Sequence, residues 1–310
     1  MDRLHAMKVF AAVADAGSLA GAAKRLRLSP PAVTRAIAAL EEHLGVRLFN
    51  RTTRSLSLTE AGSRFLDSTR RLLSDMEEAE RAAAGETAAP SGHLTISASV
   101  TLGRTHVAAV VLDFLRAEPR VSASLLLVDR LVNLVEEGID VAVRIAQLQD
   151  STIVARRIGA VRRVLVASPA YLAERGPPER PEDLKGHDVI AFTGLLSGRE
   201  WRFAEDGRSA AVSITPRLEV NDASAAISGA ERGDGITIAL SYIVARAIAE
   251  GRLTTVLERF APPAVPVHLV YPQGRTVAAK VRAFLDFAAP RLKQALAAEA
   301  DVLAAVHRRP

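Results

Sequence analysis

Residues 18–59 read SLAGAAKRLRLSPPAVTRAIAALEEHLGVRLFNRTTRSLSLT. Leu19, Ala22, Ala23 and Leu26 fall on one face of a short helix, and Val33, Ile37, Leu40 and Leu44 recur at helical spacing in the segment that follows. Between the two, Arg25 to Pro31 leaves room only for a tight turn, so the pair reads as a helix-turn-helix. Ser29 suits an N-cap. Pro30 and Pro31 fall in the first turn, where the missing N–H is no loss. With Val33, Ile37 and Leu40 inward, the second helix turns Thr34, Arg35 and Ala38 outward, a small surface with one cation that suits a major groove. Ser55 to Thr59 alternates polar and apolar, as a half-buried strand does, and returns from a tip holding Arg51 and Arg54 that can straddle a phosphate backbone. Two packed helices also occur as plain packing in all-helical proteins; the cap, the adjacent basic wing and the local charge favour DNA.

The charge is concentrated. Residues 1–65 hold ten Lys or Arg against five Asp or Glu, which accounts for the whole net charge of +5, and the rest of the chain is balanced. Phosphate neutralisation calls for that distribution, and a uniformly basic enzyme would not show it.

Ala22-Ala23, Leu26, Ser29 to Arg35, Leu40-Glu41, Leu44-Gly45, Leu48-Phe49-Asn50-Arg51 and Leu58-Thr59-Glu60-Ala61-Gly62 together resemble the N-terminal signature of LysR-type transcriptional regulators. The chain departs from that pattern at Pro30, where many members carry a polar residue that can touch DNA. The resemblance implies an α/β architecture with a winged helix-turn-helix (1–59), a long dimerisation helix (60–84), a linker (85–92) and an effector-binding domain (93–310). That domain resembles periplasmic solute-binding proteins, with lobe I at about 93–160 and 267–300 and lobe II at about 161–266. Asp140 to Arg144, Val220-Asn221-Asp222 and Tyr271-Pro272 are similar to the family's recurring landmarks there.

The remaining sequence supports this division by its own patterns. Leu4, Met7, Phe10 and Val13 mark a first helix ending at Gly17. Thr59 can cap a helix from Glu60, in which Phe65, Thr69, Leu72, Met76, Ala79 and Ala83 form a heptad seam. Such a seam also fits a helix lying on its own core, but three heptads exceed what a three-helix unit can cover, so an intermolecular pair is expected. Gly85 to Gly92 is small, polar and broken by glycine and proline, as linkers are. Beyond it, strands Leu94–Ala98, Val121–Val128 and Ile139–Ile145 alternate with helices around Val107–Leu115 and Leu131–Glu137, predicting a mostly parallel, doubly wound sheet. A second lobe would use strands over Val161–Ala167, Val189–Phe192, Ala211–Thr215, Arg217–Val220 and Ile236–Leu240 with a helix over Asp222–Arg232. The chain would then return through strand Val267–Tyr271 and helix Val277–Ala289, with Pro290 separating a last, Ala-rich surface helix.

Several function classes lack their signatures. No cysteine is present, which excludes disulfides, thiol catalysis and thiolate zinc sites and fits a reducing compartment, so the cytoplasm is expected. No stretch approaches the roughly 20 apolar residues of a membrane span, and the charged N-terminus is no signal peptide. The seven histidines are scattered without metal-ligand spacing, so no metal or cofactor is expected. Gly233-Asp234-Gly235 lacks the third glycine of a dinucleotide fingerprint and reads as a turn. Neither a phosphate loop nor a nucleophile elbow occurs, so the chain is not read as an enzyme.

The expected partners are double-stranded DNA, a second copy or more of the chain as dimer or tetramer, and a small-molecule effector. Ser29, Pro31, Thr34 and Arg35 would face the groove, with Arg51, Thr53 and Arg54 on the wing. Ser99, Val100 and Thr101 follow the first strand of the effector domain and open a helix, where hydroxyls and N–H groups suit an anionic or hydroxylated ligand, though a simple helix cap is an equal reading. The family resemblance places the effector against this turn and against the facing lobe, here Phe192, Thr193 and Asn221; Trp201 is one further candidate. An enzyme whose N-terminal helices mediate only assembly, and a ligand-independent architectural DNA binder, are the competing readings.

Overall fold

The computed structural model describes residues 2–51, 56–83, 89–148, 153–194, 200–205, 208–273 and 277–307. It divides into two compact units, Met1–His93 and Leu94–Pro310.

In the first unit, α1 (Arg3–Ala16), α2 (Leu19–Leu26) and α3 (Pro30–Leu44) enclose a core of Val9, Phe10, Val13, Ala22, Val33, Ile37 and Leu40. Ser18 caps α2 by accepting the Gly21 N–H at 3.1 Å. Arg27 then takes a left-handed φ of 55°, an unusual conformation for a residue with a side chain, which reverses the chain within three residues before α3 begins. Ser29 occupies the cap position of α3 but makes no side-chain cap bond, so the two prolines set this start by themselves. Strands β1 (Phe49–Arg51) and β2 (Leu56–Leu58) pair antiparallel to form the wing. The wing feeds α4 (Glu60–Ala83), with Thr59 Oγ1 accepting the Gly62 N–H at 2.9 Å.

The heptad seam of α4 divides. Phe65 packs on the head's own core, its ring 5.5 Å from that of Phe10, and Thr69 is fully buried, so the first part of the seam is intramolecular. Leu72 and Met76, one and two turns further, are 54% and 37% exposed. The side chains of Ala79 and Ala83 lie outside the described residues.

The second unit holds two five-stranded sheets. Lobe I contains β3 (Gly92–Ala98), then α5 (Val100–Leu102), a π turn over Gly103–Val107 and α6 (Ala108–Ala117), followed by β4 (Val121–Leu127), β5 (Val141–Ile145) and β6 (Ile153–Val161). Lobe II contains β7 (Arg163–Ala167), α7 (Pro169–Arg175), β8 (Val189–Phe192), the hairpin β9 (Glu200–Glu205) and β10 (Arg208–Ser213), β11 (Leu218–Val220), α8 (Ala223–Arg232), β12 (Ile236–Leu240), α9 (Ser241–Ala249) and β13 (Thr254–Val256). The chain returns to lobe I through β14 (Val265–Pro272) and closes with α10 (Ala279–His307). The strand orders are β4-β3-β5-β14-β6 and β11-β8-β12-β7-β13.

Three expectations are corrected. The sheets are mixed rather than mostly parallel: β3 runs parallel to β5, whereas β14 is antiparallel to both β5 and β6. Strand β6 leaves lobe I and β14 re-enters it at the same edge, so neighbours carrying the two crossings must run in opposite directions. The segment Leu131–Glu137 is a turn rather than a helix. The Glu137 carboxylate accepts from Asn133 N and from Arg130, and Gly138 at φ 61° ends the turn at once. Finally, Pro290 interrupts nothing. It lies inside the single helix α10 on its solvent side, Arg291 Nη1 donates to the Phe287 carbonyl one turn back, and the continuing helix buries Leu292 and Leu296 in lobe I and Leu303 in lobe II.

Candidate DNA interface and effector cavity

The outward face of α3 is positioned from beneath. Val33 and Ile37 are fully buried, which turns Pro31, Arg35 and Ala38 to solvent, with Ser29 exposed at the helix start. Arg35 has no ion-pair partner among the described residues, whereas Arg25 and Arg70 both pair with Asp15, at 3.3 and 2.5 Å. Thr34 is half-buried and its hydroxyl donates to the Pro30 carbonyl at 3.1 Å, which leaves its oxygen lone pairs for an incoming donor.

The wing is bolted to this helix by one side chain. Glu41 Oε1 accepts from the amides of Leu48 and Phe49 at 2.9 and 3.2 Å, so the carboxylate of α3 fixes where β1 begins. Thr59 closes the other side: its N–H donates to Leu48 O at 2.9 Å and its hydroxyl to Arg47 O at 2.7 Å. Gly62 approaches so closely that a Cβ there would sit 2.0 Å from Leu48 O. Arg51 lies in β1, its side chain outside the described residues, and Thr53 and Arg54 lie outside the described residues altogether.

The second unit encloses a cavity of about 180 Å³ between its lobes. Ser97, Ser99 and Thr101 line it from the β3–α5 junction, Asp129, Arg130 and Val132 from the turn after β4, and Ala142 to Ala146 from β5. Lobe II supplies Arg163, Phe192, Gly194, Ala223, Tyr242 and Ile243. Of the sequence-derived effector candidates, Ser99, Thr101 and Phe192 therefore line the cavity. Val100, Thr193 and Asn221 are next to or near lining positions without lining it. Trp201 is corrected: it is 1% exposed in the lobe II core with Phe203, Val212 and Ile214, because the β9–β10 hairpin folds its apolar side onto that core.

The helix start at Val100 is already capped by the cavity's own carboxylate, since Asp129 Oδ1 accepts the Val100 N–H at 3.0 Å. Positive charge comes instead from side chains. Arg144 of β5 donates through Nη2 to Val132 O. The Nε of Arg163 is buried with no hydrogen-bond partner among the described residues, and burial lowers the pKa of its guanidinium. Tyr242 is raised well above the ordinary phenol range, chiefly by burial. The Ser99 hydroxyl is buried beside it without a hydrogen bond of good geometry.

Sequence reading missed Arg163 and Tyr242 as site residues, and it marks Arg144 only as the end of a family landmark. A charged residue opening the apolar run Val164–Ala167 is a usable signal for Arg163. Tyr242 offers none, because a strand end at Leu240 does not show that the residues after it face the other lobe. Among the described residues no group of three His, Asp or Glu could hold a metal ion.

The two units that carry these sites match domains of known proteins. The bacterial regulatory helix-turn-helix domain of the lysR family matches residues 4–63, and the LysR substrate binding domain matches residues 87–293. The chain belongs to the LysR family of transcriptional regulators. It is a DNA-binding regulator with an effector-binding domain. It is 37% identical over 292 residues to an HTH-type transcriptional repressor of Pseudomonas aeruginosa, covering 93% of this chain and 91% of that protein. To the transcriptional activator AaeR of Escherichia coli it is 30% identical over 286 residues, covering 92% and 93%. The solved structure of CrgA, a LysR-type transcriptional regulator from Neisseria meningitidis, superposes with a TM-score of 0.59 at 32% identity over 93% of the regulator and 98% of CrgA. No helix among the regulator's described residues is long and apolar enough to cross a membrane.

Proposed function

We propose that the regulator reads an operator as a dimer or tetramer in the cytoplasm, with Arg35 and Thr34 contacting base edges, Ser29 and Pro31 at the groove wall, and Arg51, Thr53 and Arg54 of the wing on phosphates or in the minor groove. The observation that carries this is the exposed Arg35, without an ion pair among the described residues, on a helix whose opposite side is fully buried. Pro31 and Ala38 offer no side-chain hydrogen bond, so part of the specificity rests on DNA shape. A symmetric dimer implies inverted half-sites about one turn apart, roughly 10 base pairs, or a multiple of it.

An anionic or hydroxylated effector between the lobes, held in part by Ser99, Thr101 and Phe192, shifts the population of lobe arrangements, and the shift is linked to DNA affinity rather than to catalysis. Footprinting the DNA around the regulator's own gene with and without a metabolite panel tests the whole reading. A footprint that no metabolite alters indicates an architectural binder, and ligand binding without a footprint indicates a binding module or enzyme. Within a footprint, Arg35→Ala should cost about 1 to 3 kcal/mol on the operator and relax specificity. Arg54→Ala should weaken operator and random DNA alike and flatten the salt dependence. Unchanged affinity in both variants refutes the groove assignment.

A further inference from the structure

The charges around the interlobe cavity do not balance. Arg130 is paired with Glu137 by two hydrogen bonds of 2.8 and 2.6 Å, and Asp129, whose Oδ1 accepts the Val100 N–H, keeps its negative charge and offsets one further cation, so the wall is left with a single net positive charge. Arg144 and Arg163 remain, one from each lobe, and neither has an ion-pair partner among the described residues. Guanidinium stays charged under all physiological conditions, and a buried N–H without an acceptor is costly. Such a group in a cavity wall is accounted for when the ligand supplies the acceptor.

Much of the rest of the wall is apolar, with Val128, Val143, Phe192, Leu240 and Ile243 facing the same space as the hydroxyl-bearing Ser97, Ser99, Thr101 and Tyr242. Its volume of about 180 Å³ is close to that of engineered apolar cavities of roughly 150 Å³ that take up benzene. We propose that the effector is a compact monocarboxylate with an apolar body of about one six-membered ring, its carboxylate paired with Arg163 and facing Arg144, its body against Phe192, Leu240 and Ile243. This rests on the reading of the cavity as the effector site.

The assignment also supplies a closing force. Arg144 and Arg163, carried by different lobes, repel across a low-dielectric cleft in which Asp129 offsets only one of them, and an anion between the two converts that repulsion into attraction to both. A ligand of the same shape without the charge lacks this differential interaction, so it cannot bias the lobes equally well.

The test uses the full-length protein and calorimetric titration with benzoate, cyclohexanecarboxylate and 4-hydroxybenzoate, each against its neutral amide, and with inorganic phosphate. At least one carboxylate should bind ten-fold or more tightly than its amide, and phosphate more weakly than that carboxylate. Arg163→Gln should bring the carboxylate to within about three-fold of its amide, and Arg163→Lys should restore part of the gap. Without ligand, Arg163→Gln should melt no lower than the parent, since it removes a half-buried charge with no ion pair among the described residues; this keeps the idea testable apart from binding. Equal binding of acid and amide, a gap indifferent to Arg163→Gln, preferred binding of phosphate, or no binding by any carboxylate overturns the proposal. The effector-controlled regulator stands or falls separately, on whether any metabolite changes the footprint.

Discussion

Replacing Gly62 by alanine sets two well-known effects against each other at one atom. In an exposed helix interior the change should stabilise by about 1 kcal/mol, because alanine is the better helix former. In α4, however, the new Cβ would lie 2.0 Å from Leu48 O and 2.9 Å from the Leu48 carbonyl carbon, and both are backbone atoms that cannot rotate away. Relieving the overlap moves either the start of α4 or the first strand of the wing. Overpacking of this kind costs about 1 to 3 kcal/mol. The shift also strains the bond from Thr59 N–H to Leu48 O, 2.9 Å long, worth roughly 1 kcal/mol more. The helix gain and the hydrogen-bond loss cancel, leaving a net destabilisation of about 1 to 3 kcal/mol.

The assay must report on the head alone. All tyrosines and the single tryptophan lie beyond residue 93, so fluorescence of the full chain reports the other unit. Amide hydrogen exchange over residues 47–62 is the suitable measurement. At 1.36 kcal/mol per factor of ten, exchange should accelerate roughly 5- to 150-fold at the Leu48 and Thr59 amides, with weaker operator binding as the wing shifts. Slower exchange in the variant would refute the reasoning, because it would mean that helix propensity, and not the approach of two backbones, governs this position.

Leu72→Asp on the exposed part of α4 should dissociate the assembled form in analytical ultracentrifugation while leaving head exchange unchanged; an unaltered sedimentation coefficient would remove α4 from the interface. His106 is held below its ordinary pKa by burial, against an opposing pull from Glu299, with Thr105 and Tyr242 as its other neighbours. A lowered folded-state value means that the unfolded chain takes up the proton first, so this histidine's contribution is present above about pH 6.5 and is lost as pH falls through the folded value. His106→Gln should therefore narrow the drop in melting temperature of the effector domain between pH 7.5 and pH 5, and an identical drop in both proteins would refute the assignment.

Much of the DNA-binding head is legible in the amino-acid sequence, for a local reason. Helix periodicity over residues 19–44, the proline start of α3 and the alternating strand at Leu56–Leu58 involve partners close in sequence, so pattern and fold coincide. The exposed Arg35 follows directly from the burial of Val33 and Ile37. The bolt between α3 and the wing is not legible, because Glu41 looks like any solvated helix carboxylate until the chain brings the Leu48 and Phe49 amides to it.

In the effector domain the balance reverses. The sequence by itself determined that strands and helices alternate there, and the family resemblance made the turn at Ser99 to Thr101 and the strand end at Phe192 the expected cleft residues, of which Ser99, Thr101 and Phe192 line the interlobe cavity. Only the tertiary structure decided that the sheets are mixed, that Pro290 rides inside one helix, that Trp201 is core, and that Arg144 and Arg163 share a cavity wall from different lobes. The physical reason is distance along the chain. Periodicity reports which face of one element is buried, whereas the partner of a side chain across a twice-crossed pair of lobes is set by long-range strand order, which no local pattern encodes.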